Sequence, residues 1–229
     1  MTTLALDILH LQSIATLHHA TPQGSERGAS PVLDCIKLQV TPRRWTAVAT
    51  DRYVVAELSA PMGDYVHTLD HNAPTPLTLL LDSADVVQMV KIVKARAEGG
   101  KWVTLTTDDH HPGVVTLQDA RAEVLGDYPL QDRSYPAVER LFPTDPTYAT
   151  DSTHFNPDFL TRLAKVWTPT MASKPSERKA VPVRFQFTEG HSMRNPIGPI
   201  LVTRPNLPKP HNGIGETFRA LIQPNIVLS

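Results

Sequence analysis

Helical periodicity is confined to three places in this 229-residue chain, and their apparent helix starts, Asp7, Ser83 and Asn156, fall 76 and 73 residues apart. A near-constant spacing of that length points to one supersecondary unit used three times. The first unit opens on Leu4–Leu6, takes Asp7 as helix N-cap and sets Leu11, Ile14 and Ala15 on one face. Leu33–Val40, Trp45–Thr50 and Tyr53–Leu58 then alternate as strands do. The second unit runs from Leu77–Leu81 into a helix capped by Ser83, with Val86, Val90, Val93 and Ala97 as its buried stripe and Gly99-Gly100 as its stop. Lys101–Thr107, Gly113–Gln118 and Ala120–Leu125 follow as strands. The third helix starts at Asn156-Pro157, a cap residue followed by the proline suited to the first helical position, and turns Phe159, Leu160, Leu163 and Trp167 inward. Pro182–Thr188, Ile200–Arg204 and Phe218–Gln223 complete it. The copies share no sequence identity, so the repeat rests on element order and spacing. The expected class is α+β, three strand–helix–three-strand units.

Composition narrows the function. With 41% hydrophobic and 20% charged residues the chain can bury a substantial core, and 22 Lys and Arg against 23 Asp and Glu leave a net charge of -1. Any hold on nucleic acid must therefore come from a local patch. The single cysteine, Cys35, has no partner for a disulfide or a CxxC site and reads as a small core residue in a reducing, cytoplasmic setting. The first 17 residues carry no Lys or Arg and read as neither signal peptide nor membrane span. No Gly-rich phosphate loop, nucleophile elbow, HExxH or EF-hand pattern occurs, so no enzyme activity and no cofactor is expected. His18-His19 and Asp108-Asp109-His110-His111 are possible metal ligands, but the second run reads as a polar hairpin turn, and no metal site is assigned. Asp51 reads as the cap of a strand-to-strand turn rather than as a catalytic carboxylate.

Two of the three helices have a basic outer stripe. Lys91, Lys94 and Arg96 line the second, and Arg162 and Lys165 the third, at i, i+3 spacing. The first offers His10, His18 and His19, mostly neutral at pH 7. Such residues near helix C-termini can be a solvated face that complements the macrodipole. Brought to one side of a repeated architecture, they would form a sequence-independent track for phosphates.

Four stretches resemble the bacterial DNA sliding clamp, the beta subunit of DNA polymerase III. Leu33 to Glu57 is similar to an apolar strand, a short turn and the "ATDG-x-R-L-A" signature of the clamp's middle domain, here Ala49-Thr50-Asp51-Arg52-Tyr53-Val54-Val55-Ala56. Ser134 to Pro143 resembles the "FPDYRR-x-x-P" linker, Phe155-Asn156-Pro157-Asp158-Phe159-Leu160 the "FN-x-x-Y-L" helix start, and Ala220 to Asn225 the closing "V-V-M-P-M-R". The resemblance implies the clamp fold, with helices on one face of curved antiparallel sheets. It further implies a complete two-unit domain over 1–143 and a half domain over 144–229. Its expected role is a non-enzymatic processivity factor that binds duplex DNA and tethers a polymerase or other clamp-motif protein. A clamp loader and further copies of the chain are candidate partners, and the expected place is the nucleoid, with no membrane contact. The reduced size would suit a bacteriophage. Carried over residue by residue, the partner-peptide groove comprises Leu33, Thr50, Arg52, Tyr53 and Val55, then Pro136, Arg140 and Leu141, then Leu221, Gln223, Pro224 and Asn225. Arg52 stands where the family has glycine, and Gln223 and Asn225 stand where it has methionines. The alternative is a monomeric clamp-mimicking module that binds such peptides without encircling DNA.

Overall fold

The structure, a computed structural model, describes residues 2–41, 43–61, 77–96, 102–108, 111–142, 156–167, 183–192, 195–204 and 217–223. The first unit is β1 (Thr2–Asp7), α1 (Ile8–Thr16), β2 (Cys35–Val40), β3 (Arg44–Thr50) and β4 (Val54–Pro61). The second is β5 (Leu77–Asp82), α2 (Ser83–Ala95), β6 (Trp102–Asp108), β7 (His111–Asp119) and β8 (Val124–Pro129). Of the third, α3 (Pro157–Trp167), β9 (Arg184–Ser192), β10 (Asn195–Arg204) and β11 (Thr217–Ile222) are described. The fold is α+β with wholly antiparallel pairing in two sheets, as expected.

The first two units exchange their leading strands. β1 pairs with β6 to complete the sheet β1-β6-β7-β8, while β5 pairs with β2 at the edge of a seven-stranded sheet, β5-β2-β3-β4-β11-β10-β9. Among the described residues the third unit joins that larger sheet through one seam, β4 against β11, with Leu58 opposite Phe218 and Val55 opposite Leu221.

Strand alternation decides the faces. Trp45, Ala47 and Ala49 of β3, Val54, Ala56 and Leu58 of β4 and Phe218, Ala220 and Ile222 of β11 join Leu11 and Ile14 of α1, Val86, Met89 and Val93 of α2 and Phe159, Leu163 and Val166 of α3 in one core. The helices thus form a layer on one side of the strands, with α1 packed against both α2 and α3.

Local chemistry sets the helix starts. Asp7 Oδ1 accepts from Leu9 N at 2.7 Å, and Asn156 Oδ1 accepts from Asp158 N at 3.0 Å, as the sequence suggests. The second cap lies one residue earlier than expected: Asp82 Oδ1 accepts from Ala84 N at 2.8 Å, and Ser83 is the first helical residue, fully buried. On α2 the buried stripe is Val86, Met89 and Val93, with Val90 at its margin; Ala97 and Gly99-Gly100 lie outside the described residues. His10 does not face outward. It is buried, its ring edge-on to Trp45 with centroids 5.3 Å apart. The β7–β8 turn spans Ala120–Glu123, organised by Asp119, whose carboxylate accepts from Arg121 N and Glu123 N.

Candidate functional site

The helix layer and the opposite sheet face carry the two candidate surfaces. On the layer, Lys91 and Lys94 are exposed on α2 and Lys165 is exposed on α3, with α1 between. Arg96, just past α2, donates to Glu123 at 2.7 Å in an exposed pair of little energetic weight.

Arg162 is placed differently from the outer stripe that its spacing suggests. Its guanidinium turns in, donating to Asp51 Oδ2 at 2.5 Å, to the His19 carbonyl at 3.0 Å and to the Thr21 carbonyl at 3.1 Å. Its side chain is 15% exposed and that of Asp51 1%. The side chain therefore ties α3 to the β3–β4 turn and to the 3-10 turn Leu17–Ala20 that follows α1, and its charge is not free for phosphate.

His18 and His19 lie on that 3-10 turn. His18 Nδ1 is 2.9 Å from Ser83 Oγ, which also lies 3.3 Å from Arg27 Nη1, while Arg27 Nη2 donates to Asp82 at 2.6 Å. A histidine beside a serine is the pairing of an activated nucleophile, but Ser83 has no exposed surface and serves as a buried hydrogen-bond hub between the turn and α2. Burial first, then Arg27, holds the His18 imidazole below its usual range, with Asp82 opposing.

The other surface starts at the β3–β4 turn. Asp51 Oδ1 accepts from Tyr53 N at 2.9 Å and Val54 N at 2.8 Å, and Thr50 Oγ1 donates to the Val54 carbonyl. Asp51 is thus a turn cap. Arg52 sits at φ 86, the left-handed region open to glycine and costly for a residue with a Cβ. This is the position at which the resembling family carries glycine. Arg52→Gly should raise the stability by about 0.5–1 kcal/mol, because relief of roughly 1–2 kcal/mol of strain exceeds the added chain entropy of the unfolded state. Urea titration measures it, and a lowered midpoint would mean that the turn is not strained.

Tyr53 is 53% exposed and stacks on Phe159 of α3, centroids 6.2 Å apart, while its carbonyl accepts from Gln223 N at 2.9 Å. The turn, α3 and the end of β11 therefore meet there. Much of the expected groove lies deeper. Leu33 and Thr50 are buried, and Val55 and Leu221 face one another on the side of the sheet away from the helices, with Val48 and Leu201. Tyr135, Val138 and Phe142 cover that apolar row. Lys37 Nζ donates to Glu139 at 2.6 Å, and the Arg219 guanidinium lies 4.0 Å over the Phe142 ring while bonded twice to Glu57, which fasten the covering segment down. Val55 and Leu221 are thus floor beneath this segment rather than open wall. Arg52, Tyr53, Pro136, Arg140, Leu141 and Gln223 remain exposed, Leu141 at 58%; Pro224 and Asn225 lie outside the described residues.

Cys35 is buried, its thiol donating to the Pro31 carbonyl at 3.3 Å, and burial with the nearby Asp82 and Asp34 pushes its pKa up to about 11. A thiol so placed is a poor nucleophile at neutral pH. Among the described residues no three His, Cys, Asp or Glu side chains converge as metal ligands, and no helix is long and apolar enough to cross a membrane. Asp109 and His110 lie outside the described residues.

No family model matches the chain, and no curated protein matches it. Solved structures do. A protein of Eubacterium rectale assigned as a DNA polymerase III beta subunit superposes with a TM-score of 0.64 at 10% identity, over 99% of this chain and 66% of that one. The DNA polymerase III subunit beta of Pseudomonas aeruginosa gives 0.62 at 12% identity, over 99% and 67%. The DNA polymerase sliding clamp of Bacillus subtilis gives 0.56 at 12% identity, over 98% and 64%. The chain thus has the sliding-clamp fold and spans slightly less than two thirds of the length of the first and third of these.

Proposed function

We propose that this chain is a non-enzymatic, clamp-like accessory factor of DNA replication, which holds duplex DNA without sequence preference on its helix layer and a replication partner, a polymerase foremost, at the β3–β4 turn where α3 and the end of β11 meet. The observation that carries the reading is the helix layer itself: Lys91, Lys94 and Lys165 stand exposed on α2 and α3, on the same side of the strands, in a molecule with the sliding-clamp fold. A net charge of -1 makes those lysines a local feature and not a share of general basicity. Lysines of this kind neutralise phosphates and release counterions, with no means of reading bases. Arg162 has no part in the track and Arg96 a shared one with Glu123.

The partner surface is the exposed rim Arg52, Tyr53, Leu141 and Gln223, where an aromatic ring already stacked on Phe159 offers a rigid anchor at low entropy cost. Residues 1–143 form one complete clamp-like domain in this reading and 144–229 a half domain. The reciprocal exchange of β1 and β5 supports the first, and the β4–β11 seam, the one strand junction to the third unit among the described residues, supports the second.

The test is duplex DNA affinity across a salt series. Lys91→Glu with Lys94→Glu should weaken binding and reduce the slope of log K against log salt by roughly 1.8, about 0.9 for each phosphate left without its lysine. An unchanged affinity and slope would remove DNA from the helix layer and leave the peptide-binding module as the reading.

A further inference from the structure

Segment 132–142 crosses the sheet with no backbone hydrogen bond to a strand among the described residues. Leu130 N donates to the Gly113 carbonyl at 2.8 Å and Gln131 N to the Leu80 carbonyl at 2.9 Å. Beyond that point the backbone bonds are local: Val138 N to the Pro136 carbonyl, Arg140 N to that of Ala137 and Phe142 N to that of Glu139. Side chains hold the segment down. Tyr135, Val138 and Phe142 turn inward onto Val48, Val55, Leu201 and Leu221, while Pro136, Ala137, Arg140 and Leu141 stay exposed. Two cations bracket these contacts. Lys37, Val48, Glu57 and Arg219 stand in one row across β2, β3, β4 and β11. At one end of the row Lys37 pairs with Glu139 at 2.6 Å, and at the other Arg219, held by two bonds of 2.7 Å to Glu57, lies 4.0 Å from the centre of the Phe142 ring. Lifting the segment would therefore break no strand ladder, only apolar contact and two charged contacts.

We propose that segment 132–142 is a displaceable strap, an internal stand-in that fills the apolar row in the free chain and gives way to a partner protein's segment of the same pattern: apolar side chains, with an acidic residue three positions before an aromatic one. The strap itself shows what the row accepts. Val48, Val55, Leu201 and Leu221 take apolar groups, Lys37 takes the Glu139 carboxylate and Arg219 takes the face of an aromatic ring. The row also continues from the exposed rim. Tyr53 stands two residues before Val55, Gln223 two after Leu221, and Gln223 N donates to the Tyr53 carbonyl at 2.9 Å. A partner held at the rim thus has the row within reach once the strap lifts. The strap weakens the partner's apparent hold, because the observed Kd is the intrinsic one divided by the fraction of chains with the row open. This role for the strap rests on the reading that a partner docks at the rim.

The experiment is fluorescence anisotropy of a labelled synthetic peptide with the sequence of residues 134–143, titrated with the full chain. The unmodified protein should bind it, and Phe142→Ala, which loosens the strap and leaves the row intact, should bind it roughly tenfold more tightly. Lys37→Glu is a second variant at a partly exposed pair, and should reverse the preference. It should take a peptide carrying Glu139→Lys several-fold better than the unaltered peptide, whereas the unmodified protein prefers the unaltered one. Circular dichroism confirms that the variants are folded. A peptide left free by the unmodified protein, equal affinities for that protein and Phe142→Ala, or an unreversed preference in Lys37→Glu would each make the segment a permanent cover and overturn the strap. A doubled mass of the unmodified chain by light scattering, abolished by excess peptide, would put a second copy's strap on the row and overturn the external partner. Duplex DNA binding by the same proteins reads the replication role separately. If duplex binding fails while the peptides behave as expected, that role falls and the strap stands; if duplex binding holds and no peptide binds, the strap alone falls.

Discussion

Arg162→Met should destabilise the protein by about 3–5 kcal/mol, the range for removing one partner of a buried ion pair. Asp51 is 1% exposed and would keep two backbone donors on Oδ1 but lose the one cation on Oδ2. The His19 carbonyl would lose the Arg162 donor in the same step, and the Thr21 carbonyl would lose one of its two donors and keep Gln23 Nε2. Three segments far apart in sequence, the 3-10 turn after α1, the β3–β4 turn and α3, meet on this one guanidinium, so the cost falls on tertiary structure and not on one helix. Urea denaturation measures it. The double variant Asp51→Asn, Arg162→Met should recover part of the loss, since it removes the stranded carboxylate. A single-variant loss below about 1 kcal/mol would mean that water screens the pair as it does a surface bridge.

Arg162 also marks the limit of what the sequence discloses. Element order and the alternation of strands such as Ile36–Leu38–Val40 are legible because they follow from burial with a period, and periods are visible in one dimension. Caps are legible to within a residue. Asp82 and Ser83 are both good caps, and only the hydrogen bond to Ala84 N decides between them. The i, i+3 spacing of Arg162 and Lys165 suggests two residues with one role. Whether a long cation at a helix margin reaches water or folds back depends on a buried acceptor 111 residues away, which no local pattern encodes. His10 misleads for the same reason, because its burial involves Trp45 of strand β3, far from α1 in sequence. The groove residues follow from resemblance alone, and the structure brings Tyr53, Phe159 and Gln223 together. Phe159 reads as core only in the sequence, and its stacking on Tyr53 has no signal beyond its place on the helix. That Tyr135, Val138 and Phe142 would cover Val55 and Leu221 is hidden in a linker whose apolar residues have no helical or strand period.

The second large effect concerns the seam that joins the third unit to the rest. Phe218→Ala should destabilise the protein by about 3–5 kcal/mol, the usual cost of emptying a buried aromatic site. Phe218 is 2% exposed and stands opposite Leu58 in the strand pairing that, among the described residues, joins β11 to the first unit's strands. The first two units hold each other by two exchanged strands, whereas β9, β10 and β11 reach that pair through β4 and through the packing of α3 on α1 and the 3-10 turn. A cavity at the seam therefore weakens the weaker junction. The unfolding curve should split, with a first phase that releases the third unit and exposes Tyr53 and Phe159, and a second with the midpoint of the first two units. Limited proteolysis within the first transition should then leave a resistant fragment ending near residue 143, the boundary proposed above. A single cooperative transition with a lowered midpoint would contradict that boundary and make all three units one folding body, because a core shared without a weak plane loses its parts together.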